Sequence, residues 1–150
     1  TTGRREIWKV PAAGGDPVQV TREGGAYGIE SPDGAWLYFR KGRHSPGIWR
    51  IPVRGGSESF FYKLPSPRYS RAWDVTREGL VYAYAAPAEN QIRVEMIRIA
   101  DRSVRQLASL RGTLSEGYGG LSVSSDAGWM ILPIHKSLRG DIVTARFFIP

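Results

Sequence analysis

The chain has 150 residues and a mass of 16.7 kDa, with 21 Lys and Arg against 14 Asp and Glu, 18 Gly, 10 Pro, five Trp and no Cys. Its length sets one domain as the first expectation, and 41% hydrophobic residues suffice for a core but fall short of a membrane protein. No apolar run reaches the roughly 18 residues of a spanning helix, and the lack of Cys removes disulfides, thiolate nucleophiles and cysteine-bound zinc together.

The chain opens on Thr1-Thr2-Gly3-Arg4-Arg5, without an initiator Met or an apolar stretch. That start is expected of a chain that has lost a leader or of a segment of a longer protein. The first patterned element is Ile7-Trp8-Lys9-Val10-Pro11-Ala12-Ala13-Gly14-Gly15, and it returns as Ile48-Trp49-Arg50-Ile51-Pro52-Val53-Arg54-Gly55-Gly56. Ile7 and Ile48 are 41 residues apart, close to the ~40–45 of a four-stranded propeller blade. Between the copies lies Ser31-Pro32-Asp33-Gly34-Ala35-Trp36-Leu37-Tyr38-Phe39. It reappears, degraded, at Thr76-Arg77-Glu78-Gly79-Leu80-Val81-Tyr82, and again at Ser124-Ser125-Asp126-Ala127-Gly128-Trp129-Met130-Ile131-Leu132.

Each of these units reads as short strands rich in Trp, Tyr, Val and Ile, separated by Gly, Pro, Asp and Ser. In Ser31-Pro32-Asp33-Gly34 the proline presets φ, the aspartate accepts from nearby backbone N–H groups and the glycine tolerates positive φ, which predicts a tight hairpin turn. Gly14-Gly15 and Gly55-Gly56 predict the next turn, without the Lys-Ser/Thr context of a phosphate loop. From Gln91 to Leu110 the alternation of Ile92, Val94 and Met96 followed by Ile97 and Ile99 predicts a strand with a bulge or register change, not a helix.

The elements Ser31-Pro32-Asp33-Gly34-Ala35-Trp36-Leu37-Tyr38-Phe39 and Gly47-Ile48-Trp49-Arg50-Ile51-Pro52 resemble the repeat of TolB-like, WD40-like β-propellers, over nearly the whole chain. The resemblance implies an all-β fold, a single propeller segment over residues 1–150 of about three to three and a half four-stranded antiparallel blades. It places strands C and D of a first blade at about 6–11 and 17–21, a second blade at about 27–62 and a third at about 70–110. Strands A, B and C of a fourth run from about 119 to 149, ending on a final strand at Asp141–Phe148. Such an arc has two open blade faces, because a closed ring takes about four to eight blades. It is expected to be completed by more polypeptide or by a second copy in a two-fold ring.

Chemistry is harder to place. His44 and His135 fall near equivalent hairpins of blades two apart, too far for one ligand set, so no metal and no cofactor is expected. Gly120-Leu121-Ser122-Val123-Ser124 lacks the last glycine of a nucleophile elbow and reads as an inner strand. Asp33, Glu78 and Asp126 recur at turn positions, which argues for structure over an acid/base pair, and Trp73-Asp74 reads as a strand dipeptide without an upstream Gly-His. No catalytic residue is expected.

What remains is a loop face. By analogy with propellers, D–A connections and B–C hairpins share one side, which carries the ligand in many members. The connections hold Arg22, Glu23 and Tyr27; Arg68, Tyr69 and Arg71; and Arg111, Glu116 and Tyr118. The hairpins add Arg40, Lys41, Arg43 and His44, then Lys136 and Arg139. Arg and Tyr on loops of a rigid scaffold are binding residues by type, so Tyr27, Arg43, His44, Arg68, Tyr69, Arg71, Glu116 and Tyr118 form the expected ligand or partner surface. The expected function is a non-catalytic binding, scaffold or sensory module for a protein or small ligand. The alternative is the accessory or gating propeller of a hydrolase whose catalytic domain lies outside these residues. The +7 charge comes mostly from arginines scattered from Arg4 to Arg146, a dispersion that argues against nucleic acid as the partner. The family resemblance favours a periplasmic or extracytoplasmic setting.

Overall fold

The computed structural model describes residues 3–42, 45–66, 71–114, 120–124, 126–135 and 140–146. It is all-β, with four antiparallel sheets of two to four strands. Among the described residues the helical element is a single 3-10 turn at Pro87–Glu89, and no helix is long and apolar enough to cross a membrane. The chain divides into two compact units, residues 1–67 and 68–150.

In the first unit, β1 (Trp8–Lys9) pairs with β2 (Val18–Gln19). The turn between them is closed by the Gly14 N–H donating to the Pro11 carbonyl at 2.9 Å, with φ of +92° at Gly14 and +134° at Gly15. The second sheet runs in chain order through β3 (Ala26–Glu30), β4 (Trp36–Arg40), β5 (Gly47–Pro52) and β6 (Ser59–Lys63). After β5 the same turn recurs: Gly55 N–H donates to Pro52 O at 2.9 Å, and φ is +100° at Gly55 and +140° at Gly56. The sequence repeat is therefore a repeat of conformation. Its second glycine is required because φ near +135° lies beyond the small left-handed region open to L-residues.

Tyr38 and Phe39 are adjacent on β4, so they point to opposite faces, and both are fully buried. Tyr38 meets Phe61 edge-on at 5.1 Å, the geometry that the ring quadrupoles favour. Ile48, Ile51 and Leu64 complete the apolar interior of this sheet.

The second unit begins with β7 (Trp73–Val75), β8 (Gly79–Ala86), β9 (Gln91–Arg98) and β10 (Val104–Arg111), again paired in chain order. The register change predicted within the 91–110 stretch is present, but it lies in β10, between Gln106 and Ala108. β9 itself pairs with β8 in unbroken register from Gln91 to Arg98. Ile97 follows Met96 without a bulge because both faces are buried here: Leu80, its cross-strand partner, is as fully buried as Ile97.

The last sheet contains β11 (Thr113–Leu114), β12 (Ser122–Val123), β13 (Trp129–His135) and β14 (Gly140–Arg146). β14 takes one side of β13, while β11 and β12 share the other, β12 against Met130–Ile131 and β11 against Ile134–His135. The edge strand is thus interrupted, and β11 is a strand the sequence reading did not anticipate. The core of this unit joins Val81, Ala83, Ile92, Val94 and Met96 of one sheet to Leu114, Leu121, Met130, Leu132 and Ile134 of the other.

Large apolar side chains stay exposed in all four sheets, Phe60 on β6 and Val104 on β10 among them. Trp8, Val10 and Val18 in and beside the first, and Trp129 and Ile131 in the last, are between 43% and 60% exposed. On β13 they alternate with buried Met130 and Leu132, so one face of that sheet is core and the other open.

Candidate functional site

The repeated turns show where the carboxylates go. The Asp33 Oδ1 accepts from the Ser31 hydroxyl and from the Ala35 N–H at 3.0 Å, while Ser31 Oγ accepts from the Trp36 N–H at 2.9 Å. Asp126 repeats this arrangement, accepting from Ser124 Oγ and from the Gly128 N–H at 3.0 Å, with Ser124 Oγ accepting from Trp129 N–H at 3.0 Å. The Ser31 hydroxyl and the Ala35 N–H hold the Asp33 carboxyl below its ordinary value by stabilising its charged form. The third copy departs from the pattern. Thr76 N–H donates to Gly79 O at 2.8 Å, which closes a loop two residues shorter than that between Ser31 and Trp36, and Thr76 Oγ1 bonds Gly79 in place of a carboxylate. Glu78 therefore does not take the part that the sequence alignment with Asp33 and Asp126 implied, since the following N–H, that of Gly79, donates to the Thr76 hydroxyl instead.

Of the residues expected on the loop face, Tyr27 and Arg71 are described; Arg43, His44, Arg68, Tyr69, Glu116 and Tyr118 lie outside the described residues, as do Lys136 and Arg139. Tyr27 sits half-buried at a bulge of β3 with φ of 56°. Arg71 is exposed, and its carbonyl accepts from the Leu121 N–H at 3.0 Å.

Two cations expected on this face are committed elsewhere. Arg40 is fully buried, with Nε and Nη2 both donating to the Ser45 carbonyl, at 2.9 Å for Nε. Burial pushes its guanidinium below the usual value, and Tyr27 partly offsets this. Lys41 Nζ lies 2.9 Å from Glu23 Oε2 and 2.8 Å from Glu58 Oε2, and 4.2 Å above the Trp49 ring. Burial opposes its charge, but Glu58 and Glu23 outweigh that and hold the ammonium above its ordinary value. Two carboxylates therefore offset the charge of this ammonium. The contact of Lys41 with Glu23 joins the 22–27 connection to the end of β4.

In the second unit, Trp73 is buried and Asp74 links two sheets. One Asp74 oxygen accepts from the Val75 N–H at 2.8 Å and the other from the Val123 N–H on β12 at 2.7 Å. On the same sheet Glu95 accepts from the Tyr82 and Tyr84 hydroxyls at 2.8 and 2.9 Å, and burial, with Glu95 adding to it, raises the Tyr84 phenol. Both carboxylates are thus taken up by hydrogen bonds within the second unit. Among the described residues no three His, Asp or Glu side chains converge as a metal site would require.

The sequence reading missed a hollow of about 530 Å³ at the other end of the second unit, walled by Arg77, Arg98 and Arg105 around Met96 and Ile99. Its arginines come from three separate stretches, so no local run announced it; the signal was their register, visible only once β8, β9 and β10 are paired. No family model and no curated protein matches this chain.

Proposed function

We propose that the chain is a non-catalytic β-propeller segment, its sheets the blades, that binds a protein or a small ligand through loops at one end of its strands. The recurrence of one hydrogen-bonded turn at Ser31–Trp36 and Ser124–Trp129 carries this reading, because it assigns the repeated aspartates to the scaffold. The similarity of the same elements to TolB-like, WD40-like repeats and the chain-order antiparallel pairing of two four-stranded sheets support it. On this reading Arg71 and Tyr27 belong to the binding side, together with Arg68, Tyr69, Glu116, Tyr118, Arg43 and His44.

Exposed Trp8 and Val10 in and beside the first sheet, and Trp129 and Ile131 in the last, support open sheet surfaces that further polypeptide or a second copy covers. Apolar sheet faces of this kind mark contact surfaces.

The binding side is tested by Arg68→Ala, Tyr69→Ala and Arg71→Ala together, measured as binding to the proteins that copurify with the intact chain. Loss of binding with an unchanged melting temperature is expected; unaltered binding removes this side from the function.

A further inference from the structure

The arginine-walled hollow of the second unit lies at the end of β7 away from Arg71. It is built by pairing. Gly79 lies opposite Arg98, the Ile99 N–H donates to the Glu78 carbonyl at 3.0 Å, and Arg105 lies opposite Met96. Side chains two apart on a strand share a face, so Arg98 and Arg105 are both on the Met96 face, as diagonal neighbours. Such neighbours stand about 7–8 Å apart, a span that two long arginine side chains close over one small group. Arg77, in the β7–β8 turn, adds a third guanidinium.

Three further features give the cluster its character. Gly79, opposite Arg98, lets the β8 backbone pack tightly on β9 beneath the hollow: a Cβ there would lie 2.3 Å from the Ile97 carbonyl oxygen and 2.9 Å from the Met96 side chain. Met96 is buried and Ile99 half-buried, so the floor is apolar and solvates charge poorly. The guanidinium groups outnumber the nearby carboxylates: Asp101 stands 3.6 Å from Arg98, and Glu78 sits on the rim. Like charges held this close repel one another, and an anion between them relieves that repulsion while accepting paired N–H donors from the planar forks.

We infer that this hollow binds a multiply charged oxyanion, phosphate or carboxylate, against the Met96 floor. The site is separate from the loop side of the proposed function, and neither depends on the other.

Calorimetric titration of the full chain with inorganic pyrophosphate and with citrate, at low ionic strength, tests it. The comparison is between Arg98→Gln with Arg105→Gln and a control of equal charge change, Arg5→Gln with Arg54→Gln; all four side chains are exposed. Saturable one-to-one binding is expected in the wild type and the control, weakened at least about tenfold in the groove variant. Tighter binding of pyrophosphate identifies phosphate as the source, and tighter binding of citrate identifies carboxylate. No saturable binding of either anion, or equal weakening in both variants, overturns the site and leaves only bulk charge. The Arg68, Tyr69 and Arg71 triple variant retains anion binding if the two sites are separate, so failure of one reading does not imply failure of the other.

Discussion

Gly15 and Gly56 carry the strictest local requirement in the chain. With φ of +134° and +140° each has a conformational reason to be glycine, and at Gly56 a Cβ would also sit tightly, 3.3 Å from the Pro52 ring. Gly56→Ala is expected to lower stability by about 1–3 kcal/mol, read by chemical denaturation; an unchanged midpoint would show that the turn relaxes without cost. The aspartate of the other turn makes a pH prediction. Asp33 has its folded value depressed, chiefly by the Ser31 hydroxyl and then by the Ala35 N–H, so its contribution is present above its ordinary value of 3.8 and disappears as pH falls through the lower folded one. Asp33→Asn should therefore show a smaller stability loss than the wild type on acidification below about pH 4. Superimposable acid titrations of the two proteins would contradict the capping role. Both turns were legible from residue types alone, because proline, glycine and a short acidic side chain act within four residues of themselves.

At the scale of strands and sheets, Asp74 is the residue whose importance the sequence concealed. As half of a Trp-Asp dipeptide it looked like an ordinary strand residue, yet its carboxylate holds the Val123 N–H of another sheet. Asp74→Ala removes an acceptor shared by two N–H groups and is expected to cost about 1.5–3 kcal/mol. Hydrogen exchange at the Val123 amide should accelerate along with it, and if that amide keeps its protection, the link between β7 and β12 is not what holds the edge of the last sheet. The same scale explains what was misplaced. The apolar run through Ile97 suggested a break in β9, because alternation presumes one wet face, and here both faces are dry. The strand β11 was invisible, since two residues of edge pairing separated from β12 leave no periodicity to read.

For the whole molecule, exposed Trp8 in the first sheet and Trp129 and Ile131 in the last are apolar surface open to another chain. If a second copy covers them, sedimentation velocity across the micromolar range shows concentration-dependent dimers, and Trp8→Glu with Ile131→Glu abolishes them without lowering the melting temperature. A compact monomer throughout removes the second copy as the cover. The expected basic loop side is altered at this scale too. Arg40 turns inward and Lys41 is neutralised by Glu23 and Glu58, whereas exposed arginines converge in the hollow of the second unit. Net charge is a sum over residues and carries no direction, so +7 could not say on which side the cations stand.

By itself the sequence determined the strand-rich class and the recurring turns, because alternation and turn chemistry are local and act through neighbours in the chain. Tertiary structure decided which charges are spent and which are available. Arg40 and Arg105 are the same side chain at the ends of similar strands; one meets the Ser45 carbonyl inside the first unit, and the other stands beside Arg98 at an open hollow. That difference comes from cross-strand register and burial, which pair residues far apart in sequence and leave no local mark on either one.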